Sequence, residues 1–135
     1  MNKILFFLFV STLICKISSA QSVKNKKLNC KDFRTGKFEI NIDTIKVEIE
    51  RSKKFQYEKV SSIGSAKYKI TWPSNCEYVL ELVETNISIF KDIPIGTKYY
   101  VKIIKTDGNS CFYQSTASYS PNSVVEGTIN KVKSN

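Results

Sequence analysis

Ala66-Lys67-Tyr68-Lys69-Ile70-Thr71-Trp72 alternates apolar and polar residues one by one, and Ile45-Lys46-Val47-Glu48-Ile49-Glu50 does the same. Successive side chains of an extended strand point to opposite faces. A period of two with one apolar face therefore marks a strand half buried against a core. Working outward from these two stretches, candidate strands fall near 33–41, 44–51, 54–60, 65–73, 76–85, 97–106, 110–118 and 123–132. No segment carries helical spacing. Pro73, Pro94 and Pro121 fall between the strands, where a missing N–H costs least. Gly36, inside the first strand, suggests a bulge or sharp bend. Short, evenly spaced strands with short links predict an all-β domain: an antiparallel up-and-down meander of about eight strands, closed into a barrel or half-barrel. A sandwich of the immunoglobulin type fits badly, because Trp72 stands four residues before Cys76 on an adjoining strand.

Two hairpins can be read in detail. With Pro73-Ser74-Asn75 as a three-residue loop, Trp72 faces Cys76, Ile70 faces Tyr78, Tyr68 faces Leu80 and Ala66 faces Leu82. Lys67 meets Glu81 on the other face. A one-residue slip would mix apolar with charged partners. The second hairpin turns at Asp107-Gly108-Asn109, residues suited to positive φ. Either Cys111, Tyr113 and Ser115 or Phe112, Gln114 and Thr116 could face inward there, and the first set is preferred.

The N-terminus reads as an export signal. Lys3 precedes an apolar run from Ile4 to Ile14, and Ser18-Ser19-Ala20 supplies the small residues of a cleavage site. The run is too short to span a bilayer, which needs about twenty residues. Residues 1–20 are expected to be removed, leaving a flexible segment 21–29 and one domain over 30–135. Lipidation at Cys15 is the less favoured alternative, since the bulky Ile14 precedes that cysteine. An exported chain without a further transmembrane segment belongs in the periplasm or outside the cell. Losing Lys3 and Lys16 with the leader lowers the formal charge from +9 to +7. The remaining cations are lysines apart from Arg34 and Arg51, and most sit at outward positions among glutamates. That composition argues for a solvated face with protected edges rather than a specific nucleic-acid reader, which would favour Arg forks.

The mature chain holds Cys30, Cys76 and Cys111, an odd number for an oxidising compartment. All three fall at one end of an eight-strand meander. Loop entropy does not select a pair, because the three closures differ by only about 0.7 kcal/mol on the chain-entropy model. Cys30–Cys76 is preferred because it would pin the N-terminal segment to the best-defined hairpin.

Cys30-Lys31-Asp32-Phe33-Arg34-Thr35-Gly36-Lys37-Phe38 resembles the opening of a family of small exported proteins from flavobacteria and their relatives. Ile70-Thr71-Trp72-Pro73-Ser74-Asn75-Cys76-Glu77-Tyr78, Tyr99-Tyr100-Val101-Lys102-Ile103-Ile104 and Ser123-Val124-Val125-Glu126-Gly127 are similar to its later blocks. The resemblance covers most of the mature chain and implies a lipocalin-like fold. It also implies a Cys30–Cys76 bridge, with Cys111 outside the pattern as a free buried thiol. Some members carry the name DNA topoisomerase IV. That activity needs a nucleotide-binding domain, a metal-binding acidic cluster and a cleavage domain, and about 115 residues have room for none of them.

Nothing in the sequence specifies a reaction. There is no histidine, which excludes His-based triads and His metal ligands. No glycine-rich phosphate loop occurs, and three cysteines make a poor structural zinc site. Glu48 with Glu50, and Glu77 with Glu81, share faces at strand spacing but have Lys neighbours and outward parity. Cys111 has no identifiable activating base. Asn86-Ile87-Ser88 has the form of a glycosylation sequon without a context for its use. Two features could carry binding. Phe55, Tyr57, Tyr68, Trp72, Tyr78, Tyr99 and Tyr113 all have inward parity in this reading and would line an interior able to hold one small ligand. The link from Asn86 to Gly96 carries Ile87, Ile89, Phe90, Ile93 and Ile95, too apolar for an ordinary loop, and reads as a flap or gate over one end. The expectation is a non-enzymatic envelope protein without cofactor or metal. A small apolar or aromatic ligand would be held by Tyr57, Tyr68, Trp72, Tyr78, Phe90 and Tyr99. The alternative is a structural or protein-interaction module with a solid core.

Overall fold

A computed structural model describes residues 27–133. The expected leader, its cleavage site and Cys15 lie outside them. Eight antiparallel strands follow one another around a closed barrel: β1 (Gly36–Ile42), β2 (Ile45–Arg51), β3 (Phe55–Val60), β4 (Gly64–Thr71), β5 (Glu77–Thr85), β6 (Lys98–Thr106), β7 (Ser110–Ala117) and β8 (Ser120–Lys131). The all-β meander expected from the alternation is the fold. Its closure is narrow. β1 meets β8 only where Phe38 faces Lys131 and Glu39 faces Asn130, with one more bond from the Val132 N–H to the Lys37 carbonyl.

One end of the barrel is plugged. Cys30–Phe33 forms a 3-10 turn rather than the start of a strand, and Phe33 lies fully buried, stacked on Phe38. A Cys30–Cys76 disulfide, with Cα atoms 5.3 Å apart, fastens the turn to the β4–β5 link. The Asn29 N–H donates to Thr106 Oγ1, Lys131 Nζ pairs with Asp32 at 3.1 Å, and Arg34 stacks 4.8 Å over the Trp72 ring. Cys111 is free and buried beneath this plug. Its neighbours there include the backbone of Ile129, and burial pushes its thiol up to about 11.

The core is the inward set of alternate residues: Phe38, Ile49, Ala66, Tyr68, Ile70, Tyr78, Leu80, Leu82, Val101, Ile103 and Ile129. On β7 the inward set is Cys111, Tyr113 and Ser115, as preferred from the sequence. Tyr113 lies across β8 at Gly127, where a Cβ would sit 2.5 Å from the tyrosine hydroxyl. The turn before β7 is held by Asp107, whose carboxylate accepts from the N–H groups of Asn109 and Ser110.

Four local expectations need correction. In the β4–β5 hairpin Ile70 faces Leu80, Tyr68 faces Leu82 and Ala66 faces Thr85, while Lys69 rather than Lys67 meets Glu81. The faces are as read, but the partners slide by two residues. The link must be long enough for Cys76 to reach Cys30 and for Trp72 to pack, tilted, against Tyr78 at 4.7 Å. Trp72 is consequently half-buried in that link, outside the barrel interior. Secondly, Phe55 and Tyr57 point outward, and Gln56 and Glu58 take the inward positions of β3. Thirdly, Pro121 falls near the start of β8, whose first residues have no partner on the β1 side. Finally, Gly36 begins β1 at φ +126° rather than bulging within it.

The bridge and the buried thiol make one prediction. Cys30→Ser should cost about 2–4 kcal/mol in denaturant unfolding. Non-reducing peptide mapping should recover the Cys30–Cys76 pair, and Cys111 should resist alkylation until the chain unfolds. Recovery of a Cys76–Cys111 peptide would contradict the fold at the plug.

Candidate binding site

The interior is not uniformly apolar, and the departure starts at Arg51. Ile45, Val47, Ile49 and Arg51 share one face of β2, so the guanidinium continues an apolar row into the barrel and is only 3% exposed. Burying a charge costs several kcal/mol unless its donors are met. Here each arm of the fork has a partner. Nε donates to Gln56 Oε1 at 2.6 Å, Nη1 to the Phe33 carbonyl at 2.7 Å and Nη2 to the Tyr78 hydroxyl at 2.7 Å. The plane also stacks 4.5 Å from the Tyr78 ring and 5.3 Å from Phe38. A planar fork satisfies partners in three directions; an ammonium cannot.

Gln56 passes the network onward. Its amide accepts from Arg51 and donates from Nε2 to Glu58 Oε1. Glu58 is thus Arg51's partner by relay, without direct contact. Burial pushes its carboxyl above the ordinary value of 4.5, against the lowering effects of Gln56, Arg51 and Tyr68. Three tyrosines lie within its electrostatic reach. Tyr68, Tyr99 and Tyr113 are each raised first by burial, with the charge of Glu58 among the lesser causes. Tyr68 packs edge-on against Tyr99 at 6.0 Å, and Tyr99 packs edge-on against Tyr119 at 6.4 Å. The ladder runs from the buried Tyr68 to Tyr119 at the β7–β8 turn, which is 63% exposed. Burial pushes Tyr99 up to about 12.

The end opposite the plug is open. Ile42 and Val125 have inward parity, yet they are 57% and 62% exposed, because β1 and β8 have parted by that level. An open cavity of about 1040 Å³ is bordered by Phe38, Ile49, Val60, Ala66 and Glu58 together with outward charged residues such as Lys37, Glu48, Lys59 and Lys67. The 86–96 link covers part of the opening. Ile87 is buried, Phe90 and Ile93 pack on the core, and Ile89 and Ile95 are left outside.

Of the side chains expected to line the interior, Tyr68 and Tyr99 do so as core residues, and neither borders the open cavity. Phe90 lies in the covering link. Tyr78 is core at the plugged end, spent on Arg51, and Trp72 sits outside under Arg34. Tyr57 is on the outer wall, 46% exposed, where Lys67 covers its ring and that of Phe55. Glu48, Glu50 and Glu77 are exposed at outward positions. Arg51, Gln56 and Glu58 are absent from the expected site. The available signal was Arg51 itself, one of two arginines in the domain, standing where the β2 alternation calls for an apolar residue.

Two outcomes follow. Arg51→Ala should cost about 3–5 kcal/mol, the range for breaking a buried charged network, and Arg51→Lys should recover little of it. For Glu58, a folded-state pKa above the unfolded value means that the folded chain holds its proton more tightly. Stability from this group is therefore present below about 4.5 and is lost as pH rises through the folded value. The stability of wild type relative to Glu58→Gln should fall with rising pH across that window. A difference that stays flat in urea titrations over the window would contradict the burial of this carboxyl.

No family model, no curated protein and no solved structure matches this chain, so the site rests on its own geometry.

Proposed function

We propose that this is a non-enzymatic binding protein of the cell envelope that takes a small ligand with an apolar or aromatic body through the open end of its barrel. The observation that carries this reading is the asymmetry of the two ends. One is sealed by a disulfide-bonded plug and a three-armed arginine. The other leaves inward-facing aliphatic residues exposed, and an open cavity on the same strands touches the carboxyl of Glu58. Small-ligand sites commonly combine an apolar wall with a few polar groups that fix orientation. Export is read from the leader pattern of Lys3 to Ala20, and a disulfide fits an oxidising compartment. The likeness to small exported flavobacterial proteins points the same way.

The second reading, an interaction module acting through its surface, draws on the outer wall, where Phe55 and Tyr57 lie under Lys67. Native mass spectrometry of the protein isolated from its own envelope distinguishes the two, since a co-purified small molecule is expected only of the first. In vitro, Nile red should bind saturably. Val125→Asp at the open end should weaken it about tenfold, on the scale of one charge placed against an apolar contact. Arg34→Ala at the plug should leave it unchanged. No saturable binding, with no co-purified molecule, would favour the surface module.

A further inference from the structure

The two ends of the barrel differ in where they leave apolar side chains. An up-and-down meander brings the β1–β2, β3–β4, β5–β6 and β7–β8 links to the open end. In or beside each of them large apolar or aromatic residues are exposed: Ile42 and Ile45, then Ile63, then Ile89 and Ile95, then Tyr119. The three links at the plugged end, 52–54, 72–76 and 107–109, expose none. Charge is distributed the other way. Residues 61–66 and 108–125 contain no acid or base in a chain that is 24% charged, and the four open-end links hold only Asp43, Lys91 and Asp92.

Apolar tips that come from four separate links and surround a mouth do not make a groove for a peptide or a helix. They make a rim, which is best met by a broad, deformable apolar surface. Tyr119 adds the amphipathic ring that settles at a water–lipid boundary. Behind the rim Lys46, Lys59 and Lys98 are met by Glu39, Glu48 and Glu81. The pull toward an anionic surface therefore comes from the overall excess of +9 rather than from a local patch. A rim-to-rim pair of copies would set two such charges against each other. The wall itself does not suit lipid. Lys37, Glu50, Tyr57, Lys67 and Glu84 stand side by side across the outer face of β1 to β5, where a spanning barrel needs an apolar band.

We infer that the open rim docks end-on on an anionic lipid surface, with the isoleucine tips and Tyr119 at the acyl boundary and the plugged end in water. This goes beyond the proposed ligand-binding function and does not depend on it.

The protein isolated from its own envelope is sedimented with vesicles of phosphatidylcholine and phosphatidylglycerol in equal parts, beside a double variant, Ile89→Asp with Ile95→Asp, prepared in the same way. Both carry the same amino terminus, so a leader or lipid there cancels from the comparison. Wild type should bind at least about tenfold more tightly than the variant. It should keep most of that binding at high salt, where screening leaves the apolar contact. Orientation is read from Trp72, the single tryptophan, at the plugged end. The eight residues of β4, at about 3.3 Å each and tilted, hold it about 20 Å from the rim. Brominated acyl chains should quench the tryptophan added by Ile89→Trp and spare Trp72. That reporter keeps an apolar tip, so it reads the docking whether or not the double variant folds. Quenching of Trp72, or equal binding by a folded double variant, would overturn the inference, because the chain would then be held by its plugged end or its amino terminus. Binding abolished by salt would overturn it as well, leaving adsorption of a basic protein. So would a failure to bind vesicles together with a dimer, seen by ultracentrifugation, that the double variant lacks, since the rim would then be covered by a second copy. Nile red uptake is measured without vesicles, so the ligand-binding function stands or falls separately.

Discussion

A guanidinium buried at one end of the barrel ties the fold together. Arg51 touches four elements of the fold: the plug at Phe33, β1 at Phe38, β3 at Gln56 and β5 at Tyr78. Desolvating such a charge costs several kcal/mol. Three charge-assisted hydrogen bonds, each contributing about 1.5–3 kcal/mol, and two aromatic faces offset it only when all of these elements are in place. The interaction is therefore cooperative. It favours the one arrangement in which the 3-10 turn is docked and β2, β3 and β5 keep this register. The disulfide from Cys30 to Cys76 acts on the same joint from the outside. It reduces the freedom of the unfolded chain, whereas Arg51 acts on the folded state.

Parity was legible in the sequence to a greater degree than register. The strand spans, their order and the inward set on β2, β4, β5 and β7 follow from alternation, because an alternating run has only two faces and apolar residues choose between them. Partners do not follow in the same way. A slide of two residues in the β4–β5 hairpin keeps every face and changes every pair, so the pattern could not discriminate between Ile70 opposite Tyr78 and Ile70 opposite Leu80. The deciding constraints were tertiary: the bridge from Cys76 and the packing of Trp72 against Tyr78. On β3 even parity misled. Phe55 and Tyr57 look like core and Gln56 and Glu58 like surface, but Arg51 on the neighbouring strand needs polar partners inside. The two rings lose little outside because the Lys67 stem and ammonium cover them. A local rule failed where a long-range charge had to be met, and the candidate site lies at that place.

The two ends of the barrel differ in how firmly they are built. At the plug the backbone is paired all round, and side-chain bonds to Arg51, Arg34, Asp32 and Thr106 bind the turn to the strands. Toward the open end β1 and β8 lose contact after two facing pairs, leaving the first part of β8 as an edge. Edges of this kind invite pairing with other chains. Pro121, which cannot donate, and the charge of Glu126 both act against it. Regions with few buried contacts and unpaired backbone open at lower free energy than the core. A small molecule could thus enter by widening the β1–β8 seam, with the plug and its arginine undisturbed.

The same charge that organises the closed end determines the chemistry available at the open one. A lone buried guanidinium calls for a compensating acid, and direct contact would have placed that acid within the plug. Gln56 instead separates the two charges by one amide, so that Arg51 keeps its structural partners while the carboxyl is carried to the cavity floor. Glu58 there is partly buried. Arg51 and Gln56 favour its ionised form, and burial among tyrosines opposes it. The arginine network of the fold thus extends, through one amide, to a carboxyl that borders the open cavity.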